Sequence, residues 1–206
     1  CWYEAVEERD PKGREPPRLR AKEISYYCHL GDVEGLRPLV WATGYQRQVD
    51  RAGEVVFIAD GAAWIWRLVS YHFPHAVQIV DYCHAAAYLT PIAQAVWGET
   101  EEGQAWLEAT RAILKQGRIE EVIGICEGYG RHAQAQEAVH KAVTYYRNNA
   151  ERMDYGRLQA AGYLIGSGSV ESACKRIGTQ RLKRAGARWG HEGAQDTAKA
   201  RAAWLS

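Results

Sequence analysis

The sequence predicts an α/β protein, a sheet flanked by helices and interrupted by an all-helical insertion, on three observations. Two β-branched runs, "EVVFIAD" and "HAVQIVD", end on Asp60 and Asp81. The stretch between them, "GAAWIWRLVSYHFP", is apolar at helical spacing and closes on Pro74. A strand, helix, strand unit of this kind makes its two strands parallel and its connection right-handed. The third observation is the segment from about Glu99 to Met153, which carries helical periodicity with Glu, Gln, Ala and Lys and no strand pattern.

The elements follow in order. Two short strands joined by a loop suit the opening, because "RDPKGREPPRLR" separates "CWYEAVEE" from "KEISYYCHL"; Tyr and Ile favour strands, and Pro and Gly break them. A helix covers Val33 to Gly44, interrupted or kinked near Pro38. The strand ending at Asp60, its crossover helix and the strand ending at Asp81 come next. A single helix then runs from Tyr82 to about Trp97. After the helical insertion come a loop from Asp154 to Gly162, a Gly-Ser-Gly turn at Gly166 to Gly168, and two final helices split near Gly186 to Gly193. The domain reading is 1–98 for the sheet region, 99–153 for the insertion and 154–206 for the return to the sheet region. The tryptophans read mostly as core.

Composition excludes several classes. A chain of 206 residues that is 47% hydrophobic buries a real core, which argues against disorder. No apolar run approaches the roughly 20 residues of a membrane span, and no leader pattern opens the chain. The 5 cysteines are scattered without a C-x-x-C pair, so neither a disulfide framework nor a zinc ribbon is indicated, and a reducing cytosol fits. The chain opens on Cys1 with no initiator Met, which predicts a piece of a longer protein. The net charge of +1 conceals an uneven distribution. Acidic residues thin out after Asp154, and after Glu171 every charged residue up to Arg188 is basic: Lys175, Arg176, Arg181, Lys183, Arg184 and Arg188.

Chemistry is expected at three carboxylates. Asp60 and Asp81 end adjacent parallel strands, so they share the sheet edge where open α/β sheets place ligands. Gly61 and Ala62 after Asp60 let a ligand or ion approach the backbone. Each aspartate equally suits a helix N-cap. Glu171 follows a Gly-Ser-Gly turn at a helix start, where the positive dipole end favours any carboxylate. Together such acids can hold two divalent ions for phosphoryl transfer, and a neighbouring basic surface suits a nucleic-acid substrate. The bland reading of that basic run is a solvated helix face. Cys83 with His84, and Cys28 with His29, do not make a zinc site, because adjacent residues rarely ligate one ion.

These residues sit in longer stretches, "ADGAAWIWRLVSYHFPHAVQIVDYCHAAAYL" and "NNAERMDYGRLQAAGYLIGSGSVESACKRIGTQRLKRAGARW". Both resemble insertion-sequence transposases of the ISKra type, within the DDE superfamily and similar to Mutator-like enzymes. The likeness spans nearly the whole chain. It implies an RNase H-like mixed sheet flanked by helices, with Asp60 as the second catalytic and metal-holding carboxylate and Glu171 as the final one. Asp81-x-x-His84 would be the accessory motif, and the segment from about Glu99 the insertion that precedes the glutamate helix. Mg²⁺ or Mn²⁺, two ions in the complete enzyme, would be the cofactor. DNA, both transposon ends and target, would be the partner of a bacterial cytoplasmic protein, a homo-oligomer in the DNA complex, with no membrane contact.

The sequence departs from that pattern in two places. The family's first aspartate lies on a first strand upstream of the "WYE" region, before Cys1, and neither Asp10 in its Pro-rich loop nor Asp32 at a helix start replaces it. Some related transposases carry a Lys two turns after the Glu; here that position is Gly178, and Lys175 stands one turn after Glu171. The expected activity is DNA transposition by metal-dependent phosphodiester cleavage and strand transfer, with this chain alone cleaving weakly or not at all. The rivals are a catalytically inactive DNA-binding remnant and another RNase H-like nuclease.

Overall fold

The structure, a computed structural model, describes residues 1–8, 18–168, 172, 174–183 and 185–206, without the side chains of Arg18 and Arg181. It is mixed α/β, mostly helical, with two two-stranded sheets among the described residues. The chain divides into two compact units, one of Cys1–Val55, Tyr71–Phe73 and Ser167–Ser206, the other of Val56–Ser70 and Pro74–Gly166.

The first unit opens with β1 (Trp2–Glu8) and β2 (Arg18–Ser25), antiparallel, with Glu8 opposite Arg18 and Trp2 opposite Ser25. Helix α1 (Val33–Gln46) starts where the Asp32 carboxylate accepts the Gly35 N–H at 2.9 Å. It continues through Pro38 and two residues past the expected end at Gly44. Proline removes one backbone donor, here the one that would bond the Glu34 carbonyl, and the helix continues past it. Thr43, buried, accepts the Trp2 indole N–H at 2.9 Å and donates to the Leu39 carbonyl at 2.7 Å, which fixes β1 against α1. Gly44 permits the contact, since a Cβ there would stand 3.0 Å from the Trp2 ring and 3.1 Å from Phe73.

The carboxyl-terminal part of this unit holds a π-helical stretch, Cys174–Leu182, marked by the Lys183 N–H bonding the Gly178 carbonyl at 3.3 Å. A final α-helix, His191–Leu205, follows. Ile177, Ala198, Ala202 and Tyr26 form a small core here, and the Tyr26 N–H donates to Ser206 Oγ at 2.8 Å. The two final elements were expected, and the wide-turn form of the first was not.

The second unit contains the strand, helix, strand unit. Strands β3 (Val56–Ala59) and β4 (Val77–Val80) are parallel as expected, with Val56 paired to Val77 and Ala59 to Val80. Helix α2 (Ala63–His72) connects them. Where one helix was expected from Tyr82 to Trp97, there are two, α3 (Tyr82–Ala87) and α4 (Thr90–Trp97). Pro91 is the cause: it lacks the N–H that a continuous helix would aim at Ala87, and it is tolerated in the first turn of a new helix. The all-helical segment follows as α5 (Glu101–Lys115), α6 (Ile119–Gly128) and α7 (Gln136–Asn149).

The expected loop at Asp154 to Gly162 is a short helix, α8 (Tyr155–Ala160), capped by Asp154 through the Arg157 N–H at 3.2 Å. Tyr155 and Leu158, three residues apart, bury one face of it. Gly156 is required there, since a Cβ would lie 2.5 Å from the Gln116 carbonyl oxygen. The core of this unit joins Ile79 and Val80 of the sheet to Leu89, Ile92, Leu114, Val122, Tyr146 and Met153, all fully buried. Each such aliphatic side chain contributes about 1.5–3 kcal/mol by leaving water.

Candidate active site

The carboxyl edge of β3 and β4 carries both aspartates. The Asp81 N–H continues the ladder by donating to the Ala59 carbonyl at 2.7 Å, which brings the ends of the two strands side by side. Asp60, one residue past β3, is exposed, and its carboxylate accepts the Ala62 N–H at 3.0 Å in a turn that leads into α2. Among the described residues no ion pair involves Asp60. Asp81 differs sharply. It is 4% exposed, and its Oδ1 accepts the His84 N–H at 2.9 Å, so it caps α3.

His84 therefore meets Asp81 through its backbone. Its ring, exposed, lies 5.9 Å from Tyr88 and 6.1 Å from Tyr145. The ring thus stands at the rim of an aromatic cluster.

Tyr145 of α7 is the residue that sequence reasoning missed. Its hydroxyl donates to the Asp60 carbonyl at 2.7 Å, and its ring stacks on Tyr88 at 4.0 Å with the planes 14° apart. Gly61, at φ +92°, makes room for it: a Cβ would stand 2.8 Å from the Tyr145 ring. The space expected to admit a ligand or ion over Gly61 is filled by this side chain. Burial, with Tyr88 and the negative charges of Asp60 and Asp81, pushes the Tyr145 phenol well above its ordinary value. The hydroxyl thus stays a donor.

Tyr146, the next residue, donates to the Ala85 carbonyl at 3.0 Å. One turn on, Asn149 accepts the Trp66 indole N–H at 3.0 Å and donates to the Tyr145 carbonyl at 3.1 Å. Three side chains of α7 therefore grip the Asp60 turn, α3 and α2. The one available signal was "TYY", two adjacent tyrosines about 100° apart on an amphipathic helix, so that they meet different neighbours.

Four of the remaining candidates have described side chains, in the first unit. Lys175, Arg176, Lys183 and Arg188 are exposed, while Ile177 turns into the core. Among the described residues none of these four makes an ion pair. Glu171, Arg184 and the side chain of Arg181 lie outside the described residues. Among the described residues no group of three or more His, Cys, Asp or Glu is placed to hold a metal ion. Likewise, no helix is long and apolar enough to cross a membrane. Carboxylate oxygens suit Mg²⁺ and Mn²⁺, and Asp60, solvent-facing with one oxygen in a backbone bond, fits such an ion; capped and buried, Asp81 fits a structural role.

Comparison of the chain with protein-family models, with curated proteins and with solved structures gives no match in any of the three.

Proposed function

We propose that the chain is the catalytic region of a DDE transposase with an RNase H-like core, acting on DNA through Asp60 and Glu171. The observation that carries the reading is the exposed Asp60 carboxylate at the carboxyl edge of a parallel strand pair, beside a strand end that Asp81 shapes by capping α3. The resemblance of "IGSGSVES" and of the Asp60 to Leu89 stretch to the ISKra type supports it.

In this reading Asp60 and Glu171 hold Mg²⁺ or Mn²⁺, which supplies polarised phosphoryl oxygens and a readily ionised water. Asp60 offers its carboxylate from a backbone fixed on two sides, by the Ala62 N–H on its side chain and the Tyr145 hydroxyl on its carbonyl. The exposed Lys175, Arg176, Lys183 and Arg188 meet DNA phosphates, which sets affinity and its salt dependence. DNA cleavage and strand transfer then use one set of carboxylates.

Mn²⁺ binding measured by electron paramagnetic resonance tests the assignment. The protein is expected to remove Mn²⁺ from the free pool, and Asp60→Asn and Glu171→Gln each to weaken that binding by about tenfold or more, as loss of one of few charged ligands does. Equal Mn²⁺ binding in the wild-type protein and both variants overturns the reading.

A further inference from the structure

We infer that Tyr145 is a positioning residue for Asp60: helix α7 reaches across to the strand end and sets the conformation from which the carboxylate acts. The inference rests on the transposase reading only for what Asp60 does. The contact itself stands on geometry.

Four observations converge on it. The Tyr145 hydroxyl is 2.7 Å from the Asp60 carbonyl, a hydrogen bond of ordinary length to the backbone of the very residue that carries the exposed carboxylate. Its ring lies where only glycine fits beneath it, at Gly61, in a left-handed conformation that side chains rarely adopt. Tyr88 stacks on the other face at 4.0 Å and fixes the ring plane. The Asn149 side chain bonds the Tyr145 carbonyl and the Trp66 indole together, so the helix turn that presents Tyr145 is itself anchored to α2.

A strand end followed by Gly-Ala has little stiffness of its own. Among the described residues, one hydrogen bond restrains the Asp60 carboxylate, from the Ala62 N–H. Holding the Asp60 carbonyl from outside removes the peptide rotation that would swing the carboxylate away, which is how surrounding contacts preorganise a ligand. Tyr145 touches no reacting atom in this arrangement and acts through Asp60.

The test compares Tyr145→Phe with Tyr146→Phe. Each removes one hydroxyl that bonds a backbone carbonyl, in neighbouring positions of α7; the Tyr146 bond is buried and the Tyr145 bond exposed, so Tyr146→Phe is expected to cost at least as much general stability. Only the first touches the Asp60 turn. Amide exchange followed by NMR is expected to quicken at Ala62 by about five- to tenfold in Tyr145→Phe, the factor for losing one such bond, and to stay at the wild-type rate in Tyr146→Phe. Mn²⁺ affinity is expected to fall several-fold in Tyr145→Phe alone. Unchanged Ala62 exchange in Tyr145→Phe, or equal quickening in both variants, overturns the inference whatever the metal does. Quickening in Tyr145→Phe alone, with no Mn²⁺ bound even by the wild-type protein, upholds the positioning of the turn and sinks the transposase reading instead.

Discussion

Asp81 and Asp60 stand at neighbouring strand ends, yet their surroundings give them different work. Asp81 is buried, and a buried carboxylate is retained only when hydrogen bonds satisfy it. Its bond to the His84 N–H is one that Asn can also make, since both cap helices through a side-chain oxygen. Asp81→Asn is therefore expected to keep the urea midpoint close to that of the wild type, while Asp81→Ala loses about 1–2 kcal/mol. Equal losses in both variants would show that the negative charge, and not the cap, is what the position needs. The same comparison read by Mn²⁺ binding separates the two aspartates, because Asp60→Asn is expected to lose binding that Asp81→Asn keeps.

Helix α7 is the element that ties the helical segment to the sheet edge. Gly61→Ala is expected to act on it from the opposite side: a Cβ at φ +92° is strained, and it stands 2.8 Å from the Tyr145 ring, so the ring must give way. The variant should lose about 1–3 kcal/mol of stability, read by chemical denaturation, and reproduce the quickened exchange at Ala62 expected on removing the Tyr145 hydroxyl. How much of this was legible in the sequence depends on range. The parallel β3 and β4, the helix between them and the helical run after Glu99 follow from local periodicity and were expected. The break at Pro91 and helix α8 were not: a residue alone decides the first, and six residues are too few to show a period. The Asp60 to Tyr145 contact joins positions 85 apart in the chain, and only packing creates it. Gly61 was read correctly as a place of close approach, but the approaching group was a tyrosine of the same chain.

At the scale of the whole molecule, two expectations concern charge. The first unit exposes Lys175, Arg176, Lys183 and Arg188, and net charge hides them. If three to five phosphate contacts form, log affinity for duplex DNA falls against log salt with a slope of about −3 to −4.5. Neutralising Arg181, Lys183 and Arg184 together should flatten that slope by about 2–3 units, measured by fluorescence anisotropy across a salt series. An unchanged slope would reduce the run to a solvated surface. The second unit carries Tyr145, Tyr146 and Tyr155, each with its phenol raised above the ordinary value, burial being the largest cause. Above about pH 10 the unfolded chain gives up these protons while the folded one keeps them, so the folded state loses stability as pH rises. Tyrosinate absorbance should consequently appear for these residues together with loss of helical circular dichroism, and not ahead of it.

The adjacent hydroxyls of Tyr145 and Tyr146 each hold a different part of the second unit through one rigid helix, and coupling between two places is reciprocal by thermodynamic necessity. A partner that grips the outer face of α7 and favours one placement of that helix must alter affinity at Asp60 by some factor, and whatever occupies Asp60 must alter the partner's affinity by the same factor. The helical segment is in this sense a handle on the strand end, and the two tyrosines set its leverage.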